Sequence, residues 1–118
     1  MSKTIICDID GTLVKYRKTH LGIMAMGHEP LPGVVEQMNE WENQGHKIIL
    51  ITGRRENLRK KTEKALTELG IPFDMLIMGC SDKGRVLIND QGQTCKAHAV
   101  SLFRDEGFSH FNWESVGL

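Results

Sequence analysis

The chain has little of several things. Only 3 of its 118 residues are proline and only 3 are cysteine, and a single tyrosine accompanies 2 tryptophans and 4 phenylalanines. The cysteines, Cys7, Cys80 and Cys95, are odd in number and show no zinc-like spacing. They argue against a disulfide framework and for free thiols in a reducing cytosol, so a cytoplasmic protein is expected. Charge of one sign is missing too, because 15 Lys and Arg balance 15 Asp and Glu. Such a chain carries no long-range field for capturing nucleic acid or an anionic membrane surface. No apolar run approaches the roughly 20 residues of a membrane span, and the start MSKTIICDID lacks a secretory hydrophobic core. There is no internal repeat and no low-complexity stretch. What remains is 40% hydrophobic content in a length that suits one compact domain over residues 1–118.

Strand and helix signals alternate. Residues 4–9, TIICDI, form a short β-branched apolar run and read as a buried strand. Residues 14–32 mix basic, Gly, Met, His and Pro residues without a sustained period, and read as a flap or short hairpin. Pro32 opens a helix over about 33–44, in which Val34, Met38 and Trp41 share a face; Gly45 stops it. Residues 47–52, KIILIT, are a second strand. A second helix over 55–69 has an inner stripe of Leu58, Thr62, Ala65, Leu66 and Leu69, with Thr62 its one polar member, and Gly70 and Pro72 end it. Residues 75–78 and 85–90 are predicted third and fourth strands, and 96–103 is read as a fifth in preference to a short helix. This order predicts an α/β fold, a Rossmann-like three-layer sandwich around a mostly parallel sheet.

In an open parallel sheet, ligands bind at the carboxyl ends of the strands. Three of the predicted strands carry polar residues there: Asp8 and Asp10 after the first, Thr52-Gly53-Arg54 after the second, Asn89-Asp90 after the fourth. If the first and fourth strands are neighbours, Asp8, Asp10 and Asp90 converge. Three carboxylates at one spot require a cation, and all-oxygen ligands beside a phosphate call for Mg²⁺.

DIDGTL, ILITGR and VLIND resemble, in order and spacing, the first, second and fourth motifs of the haloacid dehalogenase superfamily. The likeness runs over most of residues 4–90. It implies a phosphatase or phosphotransferase in which Asp8 is the nucleophile and forms an aspartyl-phosphate. Asp10 would protonate the leaving oxygen and then activate the hydrolytic water. Gly11, Thr52 and Gly53 would hold phosphoryl oxygens. Mg²⁺ would sit between Asp8, the backbone carbonyl of Asp10, and Asp90, with Asn89 a minor ligand or an outer donor. The third motif, a lysine, falls in MGCSDKGRVL, where Lys83 is the first candidate and Arg85 the second. Arg54 and Arg55 are placed to hold a second anionic group of a substrate or to make surface ion pairs. His20 and His28 lie in the flap and are weighed as substrate contacts against ordinary loop histidines.

The gap after the first motif is too short for a cap domain, and so is the gap after the third strand. The chain therefore resembles the cap-less class, whose members act on large substrates that close the site or oligomerise so that a neighbour covers it. The neutral charge favours a small phosphorylated metabolite, a sugar phosphate first, over a nucleic-acid end. The alternatives are a nucleotide or polynucleotide phosphatase, drawing on the basic stretch KYRK at 15–18 and the basic residues of 54–64, and a catalytically weak relative that serves as a binding module.

Overall fold

The structure is a computed structural model that describes residues 2–90, 92 and 95–118. The elements run β1 (Thr4–Asp8), α1 (His20–Met26), α2 (Val34–Asn43), β2 (Lys47–Ile51), α3 (Arg59–Glu68) and β3 (Met75–Ile77). A 3₁₀ turn at Glu56–Leu58 leads into α3, and another at Trp113–Val116 lies near the carboxyl end of the chain. The sheet is parallel, in the order β1-β2-β3. Asp8 pairs in register with Ile51, and Ile51 with Ile77, so the three strands finish level with one another. That level edge is where the loops carrying the candidate site emerge.

Alternation decides which face is buried. Ile48, Leu50 and Leu76 point into a core shared with Val34, Met38 and Trp41 of α2 and Leu66 of α3. The intervening residues Ile6, Met75 and Ile77 are exposed on the other face. Both crossover helices thus pack on the first face and form one layer. Both helices end in the same way. The amides of Gly45 and His46 return to the carbonyls of Glu42 and Trp41, and those of Gly70 and Ile71 to Thr67 and Leu66. These are Schellman closures, and they require the left-handed φ of +85° at Gly45 and +77° at Gly70.

The flap is a folded excursion. Lys15 donates to the Glu29 carbonyl and Leu31 to that of Leu13, which returns the chain antiparallel to itself. Between these arms stands α1, capped by the Thr19 hydroxyl on the Gly22 amide.

Two predicted strands are absent. Residues 85–90 are irregular, with Val86 and Ile88 88% and 92% exposed, and so are the described residues of 96–103. The reason lies in the placement of Arg85. A parallel neighbour of β1 would begin beside Thr4 and reach Asp8 only four residues later, about 13 Å on at roughly 3.3 Å per residue. Instead the guanidinium of Arg85, the first residue of the run, already reaches Asp8 at the far end of β1. That bond draws the start of the segment toward the end of β1, and its apolar residues join no ladder. The second segment is tied at its end by different bonds. The Asp105 amide donates to the Gly11 carbonyl, and the Asp105 carboxylate accepts from the Tyr16 amide. Beyond it, Phe108 and Trp113 pack on Trp41, with ring centroids 5.6 and 4.9 Å away.

Candidate active site

At the end of β1 the backbone turns sharply. The amides of Thr12, Leu13 and Val14 all point back to the Ile9 carbonyl, and the Gly11 amide donates to the Val14 carbonyl at 2.7 Å. Ile9 and Leu13 are buried beneath the turn, which leaves Asp8 and Asp10 on its rim. Gly11 has φ +82°, and a Cβ there would meet the Arg104 Cγ at 3.0 Å. Its glycine is therefore required by the turn and by the tail lying across it. Its N–H is committed to that turn and does not face a ligand.

Each carboxylate has its own cation. Asp8, whose side chain is 35% exposed, accepts from Arg85 Nη1 at 3.0 Å and from the Thr12 hydroxyl at 3.3 Å. Asp10 is gripped by Arg54 through two parallel bonds, Nε to Oδ2 at 2.9 Å and Nη2 to Oδ1 at 2.6 Å. Arg54 is buried to 4% side-chain exposure. Its remaining nitrogen, Nη1, reaches His28 Nε2 at 2.8 Å and the Thr62 hydroxyl at 3.0 Å. The Thr52 hydroxyl accepts from the Arg54 amide at 3.1 Å and so shapes the turn that presents Arg54. Gly53 is exposed beside the Cys80 carbonyl. Lys83 is exposed, and its amide donates to the Ser81 hydroxyl.

Several sequence-predicted residues thus come together: Asp8, Asp10, Thr52, Arg54 and Arg85. Asn89 and Asp90 do not join them. Both are exposed, and the Asn89 amide nitrogen donates to the Asp90 and Cys95 carbonyls. The expected meeting of Asp8, Asp10 and Asp90 required a fourth strand beside β1, and that strand is not formed. Among the described residues no three His, Cys, Asp or Glu side chains are placed to hold a metal ion. The donor set at the motif, with Asp8 facing Arg85 and Asp10 facing Arg54, does not fit Mg²⁺ as arranged. Cys7, next to Asp8, is no nucleophile either. Burial, with the Asp8 charge adding to it, pushes its thiol up to about 12, so it stays protonated.

Sequence reasoning missed the Arg54 cluster. One signal was available, since Thr62 is the only polar member of an otherwise apolar stripe, and a buried hydroxyl implies a buried partner. His28 gave no such signal, because it reaches Arg54 only through the folding of the flap.

Comparison with known proteins follows the same stretch of chain. A family model described as the phosphatase domain of polynucleotide kinase PNKP matches residues 2–88. Over 60 residues the chain is 38% identical to a Mycoplasma pneumoniae protein named "Putative phosphatase", covering 51% of this chain and 18% of that one. Over 59 residues it is 37% identical to a Bacillus cereus protein named "Putative nucleotidase", covering 48% of this chain and 31% of that one. The chain thus spans less than a third of the length of either relative. A structure of the Pnkp1/Rnl/Hen1 complex superposes with a TM-score of 0.58 at 30% identity, over 73% of this chain and 31% of its counterpart. A crystal structure from Vibrio cholerae superposes with a TM-score of 0.51 at 23% identity, over 75% of this chain and 80% of the other, a likeness of fold alone.

Proposed function

Since the chain belongs to the polynucleotide kinase phosphatase-domain family of the haloacid dehalogenase superfamily, we propose that it is a phosphoric monoester hydrolase acting through Asp8. The observation that carries this reading is the pair at the end of β1. Asp8 is the accessible carboxylate, faced by a cation, and Asp10 stands two residues on, held by a second cation. Phosphoryl transfer needs positioning and charge neutralisation above all, and both are supplied here by protein groups. In the first step an Asp8 oxygen attacks phosphorus, the ester P–O bond breaks, and Asp10 gives a proton to the departing oxygen. In the second, Asp10 takes a proton from water, the hydroxide attacks the aspartyl-phosphate, and the P–O bond to Asp8 breaks to release inorganic phosphate. Asp10 must slip at least one oxygen from Arg54 to carry that proton. Arg85 lies where the incoming phosphoryl group would otherwise meet an uncompensated Asp8 charge. Magnesium dependence is the expectation the family brings. The residues do not form its site as arranged, so no step above is assigned to the ion.

Two substrate classes are in view. The balanced net charge supports a small sugar phosphate. A phosphorylated nucleotide or polynucleotide end is the second reading, and the family match favours it. The Arg104 guanidinium stacked 3.9 Å over the Tyr16 ring, beside Gly11, gives it a local aromatic and cationic surface. The discriminating experiment is phosphate release, with and without Mg²⁺, from sugar phosphates, nucleoside monophosphates and end-phosphorylated oligonucleotides. Asp8→Asn is expected to keep the fold and lose turnover by several orders of magnitude, because an amide cannot attack phosphorus. A variant keeping more than about a tenth of the rate, a change worth only roughly 1.4 kcal/mol, would remove Asp8 as nucleophile.

A further inference from the structure

We propose that His28 is a positioning residue for the reaction, one that acts through Arg54 to set the orientation of Asp10. This rests on the phosphatase reading above and adds to it a residue outside the motifs. A guanidinium only donates. The 2.8 Å contact between Arg54 Nη1 and His28 Nε2 therefore requires an Nε2 without a proton, with the ring proton on Nδ1. Thr62 accepts from the same Nη1 from the side of α3. Together these two acceptors fix one corner of the planar fork, and the opposite edge, Nε and Nη2, is thereby aimed at the two oxygens of Asp10. Without His28, Nη1 keeps a single acceptor and the fork can pivot about the Thr62 bond. Asp10, which must point one oxygen at the leaving group and later at water, loses its fixed reference.

The flap holds His28 in reach. It follows Gly27, which closes α1 at φ +71°, and precedes the Lys15–Glu29 and Leu13–Leu31 bonds that tie the flap to itself. On its open side His28 borders a cavity of about 310 Å³ walled by α1 and α3, which gives the ring access to solvent protons. The charged groups that act on it are Arg54 after β2, Asp10 after β1 and Arg17 in the flap, and Lys61, Lys64 and Glu68 of α3 line the same cavity. Burial lowers its pKa from the ordinary 6.5, Arg54 and Arg17 lower it further, and Asp10 opposes them. The ring is thus neutral, as the contact demands, at neutral pH. A proton on Nε2 would set an N–H against the guanidinium N–H, so the hold on Arg54 is released as pH falls through that lowered value.

The test has two arms on the whole chain. In the first, ¹⁵N-resolved NMR of the histidine rings reads tautomer and titration. His28 is expected with its proton on Nδ1 and a midpoint below 6.5. A proton resident on Nε2 at pH 7.5, or a midpoint at or above 6.5, overturns the inference. The second arm is kcat and KM for p-nitrophenyl phosphate between pH 5 and 8. His28→Leu is expected to lose roughly tenfold or more in kcat with KM nearly unchanged, the size expected for a lost bond to a charged group. His28→Gln, whose amide oxygen can accept from Nη1, is expected to recover most of kcat and to lose the histidine component of the acid limb. Full kcat in His28→Leu, or an effect confined to KM, also overturns it. If the wild-type chain does not hydrolyse the ester, the phosphatase reading is what fails, and the tautomer then decides the contact alone.

Discussion

The Arg54 guanidinium donates to four acceptor atoms while its side chain is 4% exposed. An arginine cannot shed its proton when buried, so its desolvation must be met by acceptors on every side. Asp10 supplies two, and the pair is bidentate and charge-assisted. Lysine brings the same charge as a point on a flexible stem, without the planar fork. In Arg54→Lys, Asp10 keeps at most one good bond and either His28 or Thr62 is left without its donor. The expected cost is about 2–3 kcal/mol. This is below the roughly 3–5 kcal/mol of a broken, fully buried pair, because the Asp10 side chain retains 19% of its exposure. Urea denaturation measures it, and a double-mutant cycle with Asp10→Asn separates the pair from the rest of the cluster. A midpoint equal to wild type would mean that the fork is not held as described.

Val86, Leu87 and Ile88 look, residue by residue, like the core strands KIILI and TIICD, yet they lie exposed in an irregular segment. Their position makes a sharp expectation. Ile88→Asp should change stability by no more than about 0.5 kcal/mol, the range of ordinary surface substitutions. Ile48→Ala, in the sheet core, should cost roughly 2–5 kcal/mol. A large loss from Ile88→Asp in thermal or chemical denaturation would place the segment in a packed sheet after all. The contrast also shows what the sequence could disclose. Helix α2 was legible because an apolar stripe, a start signal and a closing glycine all agreed, α3 because its stripe and its closing glycine did, and β1 to β3 because each run was bounded by turns. A run of β-branched residues states only that a strand would be favourable if a partner were present. Whether 85–90 pairs with β1 depends on where Arg85 is tethered, a contact across 77 positions of sequence. The same limit applies to the site. Asp8, Asp10 and Thr52 were legible from motifs within one loop or strand end. The grip of Arg54 on Asp10, with Thr62 and His28 behind it, joins four separate stretches of chain.

The parts are closed into one body by contacts between distant stretches, and one of these titrates. The tail residues Phe108 and Trp113 complete the core around Trp41 at one place. At the amino edge of the sheet, His46 does the tying. Its Nδ1 accepts from the Lys3 amide at 2.8 Å and its Nε2 lies 3.2 Å from the Gln44 side-chain oxygen. A ring that accepts at Nδ1 carries its proton on Nε2 and donates that to Gln44, so only the neutral form satisfies both bonds. Burial lowers the His46 pKa from the ordinary 6.5, with Lys3 adding to it, and His28 is lowered likewise. In the unfolded chain both rings titrate near 6.5. Below that pH the unfolded state binds protons that the folded state refuses, so the stability these rings contribute is complete above 6.5 and is lost as pH falls through their folded values. Glu56 acts in another window. The Arg59 hydrogen bond holds it below its ordinary 4.5, so its contribution disappears only at more acid pH, and being exposed it adds little. The urea midpoint at fixed temperature should therefore fall between pH 7 and pH 5. His46→Gln can restore only part of the pairing but cannot titrate, so it should start lower at pH 7 and fall less. Adding His28→Gln should flatten the profile further across the same interval. A wild-type midpoint that is level from pH 7 to 5 would contradict the neutral rings at both positions. An undiminished fall in the double variant would assign the acid sensitivity to groups other than these two.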